Sequence, residues 1–128
     1  MPQNIDRNEP FVQGELWKPL FTVLDADLAV VDLTTADTET WVVMKLQGSS
    51  TTVTRTTATA AQRSWESDGS DGQVRFIFKP ADTLNITKGD YDVSLWWKNS
   101  STDPKQQFLK GSGVWHVVAP ASGAVAAP

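Results

Sequence analysis

Short runs in which apolar and polar side chains alternate recur along almost the whole chain. In QVRFIFK the apolar residues Val74, Phe76 and Phe78 share one face, and YDVSLWWK alternates in the same way from Tyr91 to Trp97. Successive side chains of a β-strand point to opposite faces, so this two-residue period predicts strands that are buried on one side. About seven to eight such short strands, with turn signals about every 8–12 residues, predict an all-β fold, an antiparallel β-sandwich.

The 128 residues have the length of one domain, flanked by a short segment at each end. Residues 1–10 are polar, end in Pro10 and predict an extended N-terminal arm. Residues 11–118 contain the alternating runs and form the predicted sandwich domain. Residues 119–128 are rich in alanine and proline and predict a flexible tail. Within the domain, PADTL favours a short helical turn with Asp82 as its cap.

Charge and composition argue against several classes of partner. The formal net charge is −4, which disfavours binding to nucleic acid or to an anionic membrane surface. The chain has no cysteine, and this excludes disulfides and thiolate metal sites. The N-terminal residues lack an apolar stretch flanked by basic residues, so we expect synthesis in the cytoplasm without a secretory signal.

The segment SDGSDG places two Asp-Gly pairs, Asp68-Gly69 and Asp71-Gly72, directly before a strand-like run. A calcium loop of the EF-hand type requires oxygen ligands at alternate positions and a glutamate at position 12. Counted from Asp68, position 12 is Lys79, so that pattern fails. Asp-Gly pairs adopt positive φ at little cost, and the segment therefore predicts a turn before the next strand, with no metal. A calcium site built from several loops is the weaker alternative.

The sequence offers little for catalysis. His116 is the only histidine, and it alternates with Val114 and Val118 in a strand-like run. With a single histidine and no cysteine, the chain lacks the residues that the familiar catalytic triads and zinc sites require. The segment KGSG has neither the spacing nor the following helix of a phosphate-binding loop. We therefore expect a protein that is not an enzyme, with no catalytic residue and no cofactor.

Six tryptophans are the most informative residues for function. Trp97 falls in phase with the apolar residues of its strand, and Trp41 lies on a strand that we expect at the centre of the fold, so both predict core positions. Trp96 shares the phase of the polar residues Asp92 and Ser94, and Trp115 falls out of phase with its valine neighbours. Trp17 lies beside Pro19, and all three predict partly exposed side chains. These three are the candidates for a partner interface, with ordinary partial burial and sugar stacking as the alternatives.

The motif order suggests a family. A tryptophan is followed by SDGSDGQVRFIF and then by ADTLNITKGDYDVSLWW, an arrangement of the form W…DG-x-DG-x-V-x-F…G-x-Y-x-V. This arrangement resembles the N-terminal immunoglobulin-like domain of phage baseplate upper proteins. The early segment GELWKPLFTVLDADLAVVDLTTADTETWVVMKL is similar to the opening of that domain, and the resemblance runs from Gly14 to Val118.

The resemblance implies an immunoglobulin-like sandwich and a non-catalytic structural role in a phage virion, as a tail or baseplate component or as a capsid decoration protein. It implies contacts with other virion proteins, capsid or tail subunits, and a symmetric homo-oligomer located in the virion. The alternative function is a carbohydrate-binding module. In that case Trp96 and a second exposed aromatic residue would stack on a sugar, and Asp92 and Asn99 would supply polar groups.

Overall fold

The computed structural model describes residues 3–5, 9–24, 29–34, 38–98 and 107–120. Within these ranges the fold is all-β, with nine strands and one short α-helix. The strands are β1 (Gln3–Asn4), β2 (Phe11–Val12), β3 (Leu20–Thr22), β4 (Glu39–Leu46), β5 (Thr52–Thr56), β6 (Arg63–Trp65), β7 (Gln73–Phe76), β8 (Gly89–Lys98) and β9 (Gln107–Val118). The helix is α1 (Pro80–Thr83), and a 3-10 turn spans Ala60–Gln62. No helix in these ranges is long and apolar enough to cross a lipid bilayer.

The strands form two sheets. The larger sheet has the order β1-β9-β8-β4-β5, and β2 also pairs with β9, beyond β1 along the same edge. The smaller sheet has the order β3-β7-β6. β1 and β2 run parallel to β9, whereas all other neighbours are antiparallel. The expected all-β architecture is thus confirmed, with long central strands β8 and β4 in the larger sheet.

The core lies between the two sheets and is dominated by aromatic rings. Phe21 of the smaller sheet stacks on Trp115 of the larger sheet, with ring centroids 5.8 Å apart and an interplanar angle of 14°. Phe11 contacts the same Trp115 ring at 4.9 Å. The alternation in β7 and β8 is confirmed, because its apolar members are buried: Val74, Phe76, Tyr91, Val93, Leu95 and Trp97.

The chain around Pro19 lies at the edge of the smaller sheet. Trp17 forms an isolated bridge with Phe78 before the proline, and β3 pairs with β7 after it. Proline has no N–H for a central ladder, so the two short pieces on either side of it pair separately along one edge. Leu24 and Val30 form an isolated antiparallel bridge. The sequence also predicts a tight turn at 25–27 and a polar loop at 99–105, and both lie outside the described residues, as do residues 121–128 of the tail.

The helical turn α1 is present, but Asp82 does not cap it. Lys79 occupies the N-cap position without a side-chain hydrogen bond, and Pro80 starts the helix because its fixed φ is already helical. Asp82 instead forms an ion pair of 3.2 Å with Arg55 of β5. Arg55 also donates to the carbonyl of Ile77 at 3.0 Å and lies over the Phe78 ring. This largely buried arginine therefore ties the edge of the larger sheet to the segment that follows β7.

Side chains bond to two backbone groups on the outer edge of β5. Thr51 and Thr57 bond to β4, so the backbone groups of the alternate residues face away from the sheet. The Thr56 amide donates to Gln62 Oε1 at 3.0 Å, and the Thr54 carbonyl accepts from Arg55 Nη1 at 2.9 Å. Side chains of the protein itself thus satisfy backbone groups that another strand would otherwise pair with.

The N-terminal segment is part of the larger sheet over residues 3–5. β1 pairs with Gly111 and Ser112 of β9, and the Ile5 amide continues this pairing by donating to the Ser112 carbonyl at 3.0 Å. The Ile5 carbonyl accepts a hydrogen bond of 2.7 Å from Nε1 of the buried Trp115. Part of the predicted arm thus provides an edge strand and a polar partner for the core.

Candidate functional site

The outer face of the larger sheet carries two tryptophans side by side. Trp41 of β4 and Trp96 of β8 are directly opposite each other in the antiparallel register. Their ring centroids are 6.5 Å apart, the planes differ by only 11°, and both side chains are partly exposed. We refer to this surface, formed by Trp41, Trp96 and the neighbouring Leu109, as the tryptophan face.

Trp41 was expected in the core, and that prediction is wrong. The residues of β4 that face the smaller sheet are Thr40, Val42 and Met44, each fully buried. Trp41 lies between Thr40 and Val42 in sequence and therefore points to the opposite side. Side chains do alternate along β4, but the face that packs against the core is that of Val42 and not that of Trp41.

Local contacts orient Trp96 and extend the tryptophan face. The Trp96 Nε1 donates to Ser94 Oγ at 2.9 Å, which fixes the indole relative to its own strand. Across β9, an irregularity after Leu95 shifts the pairing so that Trp96 is opposite Leu109. Leu109 is 38% exposed and lies next to Trp96. The three side chains give an apolar strip that crosses β4, β8 and β9.

A shallow groove of ≈ 540 Å³ lies on the same sheet face. Its apolar part comes from Val43 and Val114, and its polar groups from Ser94, Asp92 and Lys45. Asp92 accepts a hydrogen bond of 2.9 Å from Gln47 Nε2 and is thereby held in place. The groove combines apolar contact area with hydroxyl, carboxylate and ammonium groups, a combination that suits a polar ligand or the rim of a protein contact.

Charged groups of both signs flank the other end of the tryptophan face. Glu39 and Lys98 form an ion pair of 3.7 Å, and the Thr56 hydroxyl donates to Glu39 at 2.6 Å. Glu39 is two residues before Trp41 and Lys98 is two residues after Trp96, so both lie on the same outer face. The aromatic centre therefore has a polar rim with no strong excess of one charge.

Trp17 and Trp115 are buried, with exposures of 3% and 1%, so the prediction that they are partly exposed is wrong. The Trp17 Nε1 donates to the Val12 carbonyl at 2.8 Å, and the Trp115 Nε1 donates to Ile5. The first acceptor belongs to β2 and the second directly follows β1. Of the three interface candidates, only Trp96 is partly exposed. Trp41, which was not a candidate, is partly exposed beside it. Asn99, the expected polar neighbour, lies outside the described residues.

The Asp-Gly segment is a turn, as its sequence predicts. Asp68 accepts hydrogen bonds from the amide and the hydroxyl of Ser70, at 2.9 and 2.6 Å. Asp71 accepts from the Gln73 amide at 3.1 Å, and Gly69 and Gly72 have φ angles of 85° and 77°. In the described part of the chain, no three histidine or carboxylate side chains come together as metal ligands would. The carboxylates thus close two consecutive turns.

The hydrogen bonds from Ser70 determine the direction in which the pKa of Asp68 is shifted. The hydroxyl and the amide of Ser70 hold the pKa of the Asp68 carboxyl below its ordinary value. Because the folded state lowers this pKa, the turn contributes stability above the pKa of the unfolded chain and loses it as the pH falls through the folded pKa. We expect Ser70→Ala to raise the pKa of Asp68 toward the ordinary value, as measured by carboxyl NMR titration.

Asp32 provides an internal control for that titration. Its pKa is also lowered, by the hydroxyl and the amide of Thr34 in a separate turn. Ser70→Ala leaves these bonds intact, so the Asp32 titration should stay in place while that of Asp68 moves. An Asp68 titration that does not respond to Ser70→Ala would contradict the assigned cause.

His116 occupies a partly exposed strand position, the kind of place that its sequence context favours. Its side chain is 46% exposed, and Nδ1 lies 2.6 Å from Asp90 Oδ1 on the neighbouring strand β8. Both side chains of this pair are exposed to solvent. A histidine and carboxylate at opposite positions of two strands are a common cross-strand pair on a sheet surface.

No protein-family model matches the chain, and no curated protein matches its sequence. The site is therefore defined by its own chemistry: two near-parallel tryptophan rings, an exposed leucine, and a groove with polar groups at its rim. Tryptophan offers a large contact area and loses little side-chain entropy when it becomes fixed. This arrangement is suited to recognition.

Proposed function

We propose that the protein is a non-catalytic structural component of a phage virion and that it acts through protein–protein assembly. The tryptophan face is its contact with a neighbouring capsid or tail subunit. The observation that carries the proposal is the pair of near-parallel, partly exposed rings of Trp41 and Trp96. Tryptophan is enriched among the residues that dominate binding energy at protein interfaces.

The surroundings of the tryptophan face support a protein contact. Specific interfaces combine an apolar centre with a polar rim. Here the centre is Trp41, Trp96 and Leu109, and the Glu39–Lys98 ion pair lies at one end. In a ring or lattice the same contact recurs for every subunit, so weak individual interfaces add up to a durable assembly.

An immunoglobulin-like sandwich is part of the proposal, and the strand order supports it. Immunoglobulin domains pair strands B, E and D in one sheet and strands C, F and G in the other, with an additional C′ strand in variable-type domains. The sheet β3-β7-β6 corresponds in order to B, E and D. The run β9-β8-β4-β5 corresponds to G, F, C and C′.

Tyr91 adds a second supporting observation. It lies near the start of β8, and its hydroxyl donates to the Thr87 carbonyl four residues upstream, at 2.6 Å. Burial raises the pKa of Tyr91, so the hydroxyl stays protonated and able to donate at neutral pH. Immunoglobulin domains have such a tyrosine two residues before the buried cysteine of strand F, and Val93 is the buried residue at that spacing here.

Carbohydrate binding is the second candidate function. The observation in its favour is the groove next to the tryptophan rings, where Ser94, Asp92 and Lys45 surround apolar side chains. Flat aromatic faces stack on the apolar face of a sugar ring, and neighbouring polar groups bond to its hydroxyls. The two functions use the same surface and differ in the partner that it binds.

Trp96→Ala is the variant that tests the proposed function. We expect the purified chain to form oligomers in light scattering over a range of concentrations, and we expect Trp96→Ala to weaken this association at least about tenfold, the loss of one hot-spot contact. Leu109→Ala should weaken association in the same direction. Folding of both variants is checked by far-UV circular dichroism.

Leu20→Ala is the matched control. The exposed fraction of Leu20, 42%, is similar to that of Leu109. Leu20 lies on the smaller sheet, so its truncation should leave association unchanged. Association that does not respond to Trp96→Ala would contradict the proposed assembly role. A wild-type chain that remains monomeric and binds to a glycan array, with binding lost in Trp96→Ala, would instead support the carbohydrate function.

A further inference from the structure

We infer that the β9 edge at Gly111 and Ser112 is a strand-accepting site, and that a second copy of this chain can occupy it with its own residues 3–5. The inference names a partner and a surface for assembly. It concerns a sheet edge and not the tryptophan face. An experiment can therefore contradict this inference without contradicting the proposed function of the tryptophan face, and the reverse is also true. The argument rests on how residues 3–5 are held.

The contacts between residues 3–5 and β9 are made mainly by the backbone. Gln3 is paired with Gly111 and Asn4 with Ser112 in a parallel register, and the Ile5 amide donates to the Ser112 carbonyl. Backbone pairing of this kind is the basis of strand addition, in which an extended segment of another chain joins a sheet edge. The β9 edge thus accepts an extended strand of this sequence in a defined register.

The buried Trp115 creates a requirement for such a strand. Its side chain is 1% exposed, and its Nε1 donates to the Ile5 carbonyl at 2.7 Å. A buried N–H without an acceptor is destabilising, so the site favours a carbonyl at this position. The same carbonyl from another copy meets the requirement equally well. The contacts of the site depend on the sequence and the register of the segment. They are the same whether residues 3–5 come from the same chain or from another copy.

The connection between β1 and β2 is longer than the pairing requires. Seven positions separate Asn4 from Phe11, whereas five positions separate their partners on β9, Ser112 and Val117. Phe11 is anchored in the core at 4% exposure, so exchange is confined to the residues before it. From Ile5 to Phe11 the chain can extend about 20 Å, at roughly 3.3 Å for each residue. The connection therefore has two positions more than the in-register pairing on one β9 strand needs.

A second copy is the occupant that fits best. The sequence that the site accepts is already known, because the chain itself provides it. An exchanged pair would preserve each hydrogen bond of the intramolecular form, which makes exchange between identical chains a low-cost route to a dimer. A strand from a different protein would have to reproduce both the register and the carbonyl at Ile5.

Single cysteine variants test the exchange in the full chain. The wild-type sequence has no cysteine, so each introduced thiol is unique. Asn4→Cys and Ser112→Cys are prepared separately, mixed at high concentration and oxidised. Neighbouring strands lie about 4.8 Å apart, within the range that a disulfide spans. We expect covalent heterodimers on a non-reducing gel, at least about tenfold more than in the control mixture, because exchange raises the effective concentration.

The control mixture pairs Asn4→Cys with Thr52→Cys. Thr52 is exposed on β5, at the opposite edge of the same sheet, and reports random collision. An equal yield in the two mixtures, or no heterodimer in the first, would overturn the inference.

A second measurement is independent of disulfide chemistry. Wild-type chains labelled with ¹⁵N are mixed with chains labelled with ¹³C, and isotope-filtered NOEs are recorded between copies. Exchange predicts interchain NOEs between residues 3–5 of one copy and Gly111–Ser112 of the other. If these NOEs are found only within a chain at the concentration of the cross-linking experiment, the inference is wrong. Retained NOEs in Trp96→Ala would show that exchange does not depend on the tryptophan face.

Discussion

Trp115→Ala is expected to lower the free energy of unfolding by about 4 kcal/mol, the middle of the range for truncating a buried large aromatic residue. Trp115 is 1% exposed and contacts Phe21 and Phe11 across the core. The substitution removes this contact area, leaves a cavity between the two sheets, and deprives the Ile5 carbonyl of its donor. Urea unfolding followed by circular dichroism measures the change.

Trp96→Ala is the matched comparison, because it removes the same side chain from the outer face of the same sheet. Trp96 is partly exposed, so its loss should cost about 1 kcal/mol or less. Comparable losses for the two variants would contradict the assignment of Trp115 to the core and Trp96 to the surface. If Trp115→Ala does not fold, Trp115→Phe retains most of the ring and should cost about 1–2 kcal/mol, mainly through the lost N–H donor.

Gly72→Ala is expected to be the second most destabilising substitution, at about 3 kcal/mol. Gly72 has a φ of 77°, where a side chain is already strained. A Cβ at this position would lie 2.8 Å from the Val23 carbonyl oxygen and 3.2 Å from backbone atoms of Val31. Backbone atoms cannot rotate away as the end of a side chain can, so the turn would have to separate from its neighbours.

Gly48→Ala separates the strain of the backbone angle from the steric clash. Gly48 has nearly the same φ, 78°, but a Cβ there meets nothing within 4 Å. Gly48→Ala should therefore cost about 1 kcal/mol, the penalty of the left-handed conformation alone. Thermal unfolding of both variants gives the difference. Equal losses would show that the close approach of the second Asp-Gly turn to Val23 and Val31 has little energetic weight.

The features that the sequence predicted correctly are local ones. The alternation in β7 and β8 identified buried residues such as Phe76 and Leu95, because a two-residue period fixes which side chains share a face. The turn at Asp68 was also predictable, since aspartate and glycine supply its hydrogen bonds and its backbone angles locally. Each of these features depends on residues that are close together in sequence.

The wrong predictions required information about distant residues. Alternation placed Trp41 and Val43 on one face of β4 but does not say which face meets the smaller sheet. Trp115 was expected at the surface, since nothing in its own strand indicates that Ile5 covers its N–H from a distance of 110 positions. The tryptophan face, which depends on the pairing of Trp41 with Trp96, was therefore found only in part, through Trp96.

The two edges of the larger sheet differ in what they permit. At β5, Gln62 accepts from the outward-facing amide of Thr56 and Arg55 donates to the carbonyl of Thr54, which makes this edge less able to accept a further strand. Polymers that grow by strand pairing need a donor edge and an acceptor edge on every subunit. In the proposed exchange these are residues 3–5 and the β9 edge of the same chain, so reciprocal exchange between two copies would fill both acceptor edges and close the pair with twofold symmetry.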